Sequence, residues 1–428
     1  MKKLNIAIIG LGNIGSYLYK YLNDNKKILT KKNNCLPIIK YVSAKNIRKN
    51  RGIKIKKSQW LNNYLDCTKL RDVDLIIELI GGSEGPAKKL VFNALRNKKH
   101  VVTANKALIA KYGDQLAKIA EKNKVNLEFE AAVCGGLPII RSLKEGLVAN
   151  KISRIYGILN GTSNYILSSM DKQNKSFNEV LLDAKKLGYA ESNPSADLNG
   201  DDVSSKLKIL SSLCFNSFLN NNIYVEGIKN IDKTDIDNAN NFGYKIKLLG
   251  FAEFVKNNVY QSVHPTLIKK DSYVASIDGV LNAVIVDGIP VGQSTIQGEG
   301  AGPSATTSAL VSDISSISRG NIKFPFSIAN KERKNLKFKN IDERTFSAYL
   351  RFEVLDKPGV LSNITNIFSK NNVSIKRLVQ NPDKNKKSSS IIVITHESTN
   401  KHLKNILTKI SRQKYIRQKP KLIRINNL

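Results

Sequence analysis

Asn5-Ile-Ala-Ile-Ile-Gly-Leu-Gly-Asn-Ile-Gly15 decides how the beginning of the chain is read. The apolar run from Asn5 to Ile9 predicts a short strand, and Tyr17, Leu18, Tyr21 and Leu22 recur at helical spacing after it. Between them lies a G-x-G-x-x-G turn made by Gly10, Gly12 and Gly15. A strand before and a helix after form the context in which that motif signals a dinucleotide. Gly10 permits the tight turn, Gly12 lets the backbone approach a pyrophosphate, and Gly15 lets helix and strand pack closely. The free N–H groups at the helix start then face the phosphates. Further on, strands are predicted at Ile38–Val42, at Val73–Ile80 ending in Gly81-Gly82, and at His100–Thr103, with a helix around Val91–Leu95. Strands alternating with helices imply a parallel sheet covered on both faces. The carboxylate that usually holds the ribose 2′-OH at the end of the second strand is missing. Ser43, Ala44, Lys45, Asn46 and Arg48 occupy the region, which favours NADP over NAD.

The fold class expected is α/β: a Rossmann-type parallel sheet, an α+β catalytic and dimerisation domain, and a C-terminal ferredoxin-like unit. The first domain is assigned to residues 1–138 and completed by 300–325. The second covers 139–299, with strands at Ile155–Leu159 and Val280–Val286 separated by helices that include Phe177–Leu187 and Asp201–Leu213. Residues 331–346 form a linker, and Lys331–Asn340, polar and basic, reads as a flexible boundary of the kind few contacts cross. Residues 347–428 read as strand, helix, strand, strand, helix, strand. On that reading, a chain ended near Asn340 keeps its activity.

Composition narrows the function classes. A chain of 428 residues with 41% hydrophobic content supports two or three packed domains. The net charge of +34 invites a nucleic-acid reading. The basic residues, however, do not gather around stacking aromatics, so they read as solvated faces and no nucleic-acid partner is expected. No run is long enough to span a membrane, and no signal peptide opens the chain. Cys35, Cys67, Cys134 and Cys214 form no C-x-x-C pair, and free thiols fit a cytoplasmic protein.

The densest chemistry lies between Gly188 and Lys206, where an acid-rich loop runs into a helix. Asp202 and Lys206 are four apart and share a helix face. Alone, such a pair reads as a surface salt bridge. With Glu191 and Asp197 just upstream, it can hold an ammonium group and a hydroxyl while the lysine manages a proton.

Several segments together resemble the homoserine dehydrogenase family. They are Gly10–Gly15, Val101-Val-Thr-Ala-Asn-Lys106, Phe129-Glu-Ala-Ala-Val-Cys-Gly-Gly-Leu-Pro138, Gly157-Ile-Leu-Asn-Gly-Thr-Ser-Asn-Tyr-Ile-Leu167, Gly188–Lys206 and Gly298-Glu-Gly-Ala-Gly302. The likeness is to the monofunctional type, and it covers nearly the whole chain. It implies NAD(P)H-dependent interconversion of L-aspartate 4-semialdehyde and L-homoserine, in threonine, methionine and isoleucine biosynthesis. It implies Lys206 as the acid/base, and Glu191 and Asp202 as homoserine ligands with Asp197 close by. Gly10, Gly12, Asn13, Ile14, Gly15, Lys106, Gly188 and Gly302 would hold the cofactor. Glu130, Val133, Gly135 and Leu137 match a family sodium site built largely of backbone carbonyls. The C-terminal unit, with Arg351-Phe-Glu-Val-Leu-Asp-Lys-Pro-Gly-Val-Leu361, resembles an ACT domain with threonine as its expected effector and a helix N-terminus suited to the effector's carboxylate. A homodimer or tetramer is expected. Two rivals are another Rossmann-plus-ACT dehydrogenase acting on a hydroxy acid, and a non-catalytic NAD(P) and amino-acid sensor. The first needs a catalytic histidine, and His100, His264, His396 and His402 show no acid/base pairing in sequence. The second has no need of a proton donor such as Lys206.

Overall fold

The computed structural model describes residues 1–383 and 388–426. The parts of the 347–428 unit at 384–387 and 427–428 lie outside the described residues. The first sheet is wholly parallel, with strands β1 (Lys2–Ile9), β2 (Cys35–Ser43), β3 (Leu75–Glu78), β4 (His100–Thr103) and β5 (Leu127–Glu128) in the order β2-β1-β3-β4-β5. The strand order reverses between β1 and β3, which opens a crevice outside the carboxyl ends of the strands. Gly10, at φ +107°, turns the chain there so tightly that a Cβ would sit 2.4 Å from the Leu79 carbonyl oxygen. A Cβ at Gly15 would meet the Gly10 oxygen at 2.0 Å. Gly12 has nothing within 4 Å, so its backbone is open on the side from which a ligand would approach.

A helix from far along the chain completes this domain. Pro303–Ser318 buries Ala309, Leu310, Ile314 and Ile317 in the same cluster as Leu4, Ile6 and Ile8 of β1 and Leu18 and Leu22 of the first helix. Periodicity near the N-terminus carries no trace of that partner.

The second sheet holds β6 (Lys151–Ile158), β7 (Tyr224–Val225), β8 (Tyr244–Val255), β9 (Asn258–Lys269), β10 (Leu281–Ile289) and β11 (Gly292–Glu299). It continues through β12 (Lys337–Lys339), β13 (Thr345–Leu355), β14 (Ile375–Asp383), β15 (Ser388–Thr395), β16 (Ser398–Thr399) and β17 (Lys421–Asn426). Its main path is β11-β10-β6-β8-β9-β17-β13-β15-β14. Helices are not all that separates β6 from β10, because the β8–β9 hairpin lies between them in sequence and pairs over its full length. Its strands are buried over most of their length, so their apolar residues run together and the period of two is lost. The turn itself is Lys256-Asn257, both at positive φ, as a two-residue hairpin turn requires.

The C-terminal unit has the expected β-α-β-β-α-β order, β13, β14, β15 and β17 with helices Val360–Lys370 and Asn400–Ser411. It is not hung on a flexible tether. β17 inserts between β9 and β13, parallel to the one and antiparallel to the other, so both units share one sheet. The 331–346 stretch is folded. β12 pairs with β9, and Arg333 is buried, donating to the Ser217 carbonyl and to Ser212 Oγ while pairing with Asp114 at 2.7 Å. The physical reason is that basic composition hides a buried arginine whose partners, Asn330 apart, come from distant segments.

Ion pairs tie the same junction. Asp235, fully buried on helix Lys233–Asn241, pairs with Arg351 of β13 and Lys421 of β17 at 2.9 Å each. A chain ended near Asn340 would strand that carboxylate, at a cost of about 3–5 kcal/mol, and bare the Thr266–Ile268 part of the β9 edge that β17 covers. Such a truncation is therefore expected to aggregate or to unfold well below the full chain, contrary to the expectation from sequence. Thermal unfolding and light scattering of the truncated protein check this; a monodisperse, fully active product would refute it.

Candidate active site

Helix Asp201–Phe215 carries Asp202 in its first turn and Lys206 one turn on, where the helix N-terminus favours the carboxylate. The pair is no surface salt bridge. Asp202 is 5% and Lys206 7% exposed, and Lys206 Nζ lies 2.8 Å from Asp202 Oδ2. Lys206 also donates to the Leu159 carbonyl at 2.6 Å, at the end of β6. The other oxygen of Asp202 takes the ammonium of Lys106. Lys106 opens helix Lys106–Lys122 just beyond the carboxyl end of β4, with Asn105 as the cap. One carboxylate thus joins the crevice of the parallel sheet to the second domain.

Asn160 completes the cluster. It caps helix Gly161–Gln173 by accepting the Ser163 N–H, and its amide nitrogen donates to Asp197 at 2.7 Å and to Asp202 at 2.9 Å. Burial by itself would push the Asp202 carboxyl up, but Lys206, Lys106 and Asn160 outweigh it and hold the group below the usual carboxylate range. Burial raises Asp197, with only partial relief from Asn160. For Lys206 burial opposes the charge, yet the attraction of Asp202 wins and the pKa stays above the ordinary lysine value. It is a protonated lysine at neutral pH.

The remaining expected site residues fall in three places. Glu191 is exposed and, among the described residues, makes no hydrogen bond or ion pair with the cluster. Gly188, at φ +75°, ends helix Phe177–Lys186: its N–H bonds the Lys185 carbonyl and that of Tyr189 bonds Ala184, so helix termination alone accounts for the glycine. Gly302 caps helix Pro303–Ser318, whose start meets the first helix through Tyr17 and Ser304. Two helix N-termini therefore border one cavity of about 470 Å³, lined by Gly12, Asn13, Arg51 and Pro303 among others. Ile14, half-buried, packs beneath it against the sheet. Lys45 and Arg48 are exposed and line no part of this cavity. Arg51 does, with its Nε on the Leu11 carbonyl at 2.9 Å and its guanidinium over Trp60. Reading only the residues just past the second strand missed it, because the loop folds back.

Glu130, Val133, Gly135 and Leu137 form a buried turn at the domain boundary. The Glu130 carboxylate is spent internally, accepting the Ile140 and Arg141 N–H groups at 2.8 Å each, and burial pushes its pKa up to about 7. Among the described residues no donor reaches the Val133 or Gly135 carbonyls, whereas those of Glu130 and Leu137 already accept backbone N–H groups. Two neutral oxygens are thus free for a monovalent cation.

No histidine shares this centre. His264 is buried between Tyr224 and Phe346 and bonded to Thr266, and burial holds its pKa well below the ordinary value. His100 accepts the Asn126 N–H.

A dinucleotide crevice whose carboxyl edge meets a buried, protonated lysine is the arrangement of a pyridine-nucleotide oxidoreductase. Residues 138–315 match the homoserine dehydrogenase family, residues 10–130 its NAD binding domain, and residues 348–414 the ACT domain. The chain belongs to the homoserine dehydrogenase family, an oxidoreductase family whose reaction interconverts L-homoserine and L-aspartate 4-semialdehyde. Homoserine dehydrogenases of Neisseria gonorrhoeae and Helicobacter pylori are 38% and 37% identical, with 100% of each chain covered. The crystal structure of the Thiobacillus denitrificans homoserine dehydrogenase matches with TM-score 0.93 at 35% identity, over 100% of this chain and 99% of that one. A hyperthermophilic archaeal homoserine dehydrogenase in complex with NADPH shares the fold, with TM-score 0.63 at 23% identity over 78% of this chain and all of its own.

Replacing Lys206 with alanine leaves Asp202 paired to Lys106 and bonded to Asn160, so the fold should hold. Turnover should fall by about 10²–10⁴-fold with cofactor affinity unchanged. Steady-state kinetics and cofactor titration of Lys206→Ala test this; a variant within twofold of the parent would remove Lys206 from the chemistry.

Proposed function

We propose that Lys206 is the proton donor and acceptor for the substrate oxygen, in a homoserine dehydrogenase that runs chiefly toward reduction. The burial of Lys206 against Asp202 carries this reading, since a lysine held protonated is the right species to meet a developing alkoxide. The nicotinamide supplies the hydride. Asp202 orients Lys206 and keeps its charge, while Lys106 brings the cofactor domain into register. Asp197, which pairs with no lysine among the described residues, receives the substrate's ammonium. Glu191 reaches the substrate only through movement of its exposed loop.

The cofactor is proposed to be NADPH. The support is the Arg51 guanidinium at the glycine-loop cavity, whose hydrogen-bond partners among the described residues are all backbone carbonyls, so that no carboxylate among them meets its charge. The archaeal relative solved with NADPH agrees. Sodium is proposed at the Glu130–Leu137 turn, supported by the two unengaged carbonyls. The proposed effector is threonine, in a cavity of about 440 Å³ at Asp356, Pro358, Gly359 and Gln380, where helix Val360–Lys370 begins. Assembly as a dimer or tetramer, cytoplasmic location and a place in threonine, methionine and isoleucine biosynthesis complete the proposal. No helix among the described residues is long and apolar enough to cross a membrane.

Cofactor choice is checked by kcat/KM with NADPH and NADH. NADPH should be preferred, and Arg51→Ala should narrow the ratio by about ten- to hundredfold. Equal use of both cofactors by the parent protein would refute the assignment.

The pH dependence follows from the raised Lys206 pKa. The ammonium persists through neutral pH and is lost only as pH rises through that value. The reductive rate should be flat around neutrality and fall on the alkaline side, while homoserine oxidation, which needs the neutral amine, should climb over the same range. Rate profiles in both directions decide the point. A reductive rate that falls between pH values of about 6 and 8 would assign the proton to another group.

A further inference from the structure

The Asn160 side chain makes three hydrogen bonds that cannot be rearranged. Its Oδ1 accepts the Ser163 N–H at 2.8 Å, which fixes the amide against flipping. The two N–H groups must then face the carboxylates, at 2.7 Å from Asp197 Oδ1 and 2.9 Å from Asp202 Oδ2. Asn160 itself is 5% exposed, so water does not substitute for these bonds. Its backbone follows Leu159, the residue whose carbonyl holds Lys206. Two carboxylates sharing one amide repel each other, and Asp202 adds to the rise in the affinity of Asp197 for a proton. The other charged or titratable groups bearing on them are Lys206, Lys106 and Cys134, and both lysines favour Asp202.

We propose that Asn160 is a positioning residue for the reaction: its one amide locks Asp202 toward Lys206 and holds Asp197 aimed at the substrate's ammonium. This rests on the reading of Asp197 given above. The capping bond makes the amide rigid, and the helix start, the Lys206 tether and the two carboxylates move as one unit. A misplacement of about 1 Å at such a point costs about 10²-fold in rate. Helix capping alone needs only a side-chain oxygen, which serine or aspartate supplies equally well. A donor pair toward two carboxylates needs an amide.

Asn160→Ser keeps the cap and removes the donors. Its thermal unfolding should stay within a few degrees of the parent. Its KM for homoserine should rise by about 10- to 10²-fold, with kcat reduced and the acid limb of kcat/KM moved to higher pH. The dissociation constant for NADPH should not change. Asn160→Asp, close in shape and also a good cap, should be at least as impaired, and carries the same test should the serine variant not fold. Either variant, folded and with KM, kcat and acid limb all like the parent, would overturn the proposal and leave Asn160 a helix cap. Asp197→Asn separates the two readings. A raised homoserine KM there supports the substrate role of Asp197. A parental KM there, with Asn160→Ser still impaired, removes Asp197 from the substrate site while the Asn160 proposal stands through Asp202.

Discussion

Asp202 is where the two domains that perform the chemistry are held to each other. Its two oxygens take ammonium groups from opposite sides, Lys206 from its own helix and Lys106 from the nucleotide-binding domain. Taking the charges of Asp202 and Lys206 out of water costs several kcal/mol per ion unless the remaining bonding capacity is filled. Here it is filled by the Asn160 amide for Asp202 and by the Leu159 carbonyl for Lys206. The position of β6, the start of helix Gly161–Gln173 and the C-terminal edge of the parallel sheet are all constrained by the need to satisfy this one carboxylate.

A second constraint comes from the shared sheet. The C-terminal unit contributes β17 directly between β9 and β13, and Arg424 on β17 is buried among Glu226, Tyr224 and Asn400. β9 also pairs with β8, and β8 pairs with β6, the strand that Leu159 directly follows. A contiguous hydrogen-bonded path therefore runs from the ACT domain to the carbonyl that holds Lys206. Coupling between a distant amino-acid site and the active centre requires two arrangements of some shared element. The β9–β17 seam, flanked by the buried Arg351–Asp235 pair, is the element both units share.

Legibility in the sequence followed the range of the interactions. The glycine turn was readable because strand, turn and helix are local, and Gly10 and Gly15 each answer a constraint set within a few residues or by the segment after one neighbouring strand. Asp202 and Lys206 were readable as a pair because helical spacing alone puts them on one face. That the pair is buried was not, since Leu159, Asn160 and Lys106 lie far away in sequence. Asn160 did carry a local signal: an asparagine immediately before Gly161 at a helix start is a cap pattern. Its second use, toward two aspartates, was invisible. The basic stretch at Lys331–Asn340 read as a tether because composition does not distinguish a solvated arginine from Arg333, whose partners Ser212, Ser217 and Asp114 come from two other segments. The β8–β9 hairpin was missed for a related reason. Strands buried on both faces lose the alternation that marks a half-exposed sheet.

The two aspartates of the pocket are pushed in opposite directions, and that divides their work. Asp202 has a lysine on each oxygen, and these hold its carboxyl below the usual carboxylate range. It behaves as a fixed charge whose effect is to keep Lys206 protonated. Asp197 has burial without a direct cation, and its affinity for a proton is raised. A half-buried carboxylate in that state gains most from an arriving positive charge, because the ligand's ammonium removes the repulsion from Asp202 and the cost of desolvation together. Carboxylates whose environments separate their pKa values commonly separate their roles in this way. On the proposed reading, the substrate's ammonium fills the one electrostatic deficit of the pocket. The opposing demands are met by the same asparagine side chain, which must satisfy both carboxylates without neutralising either.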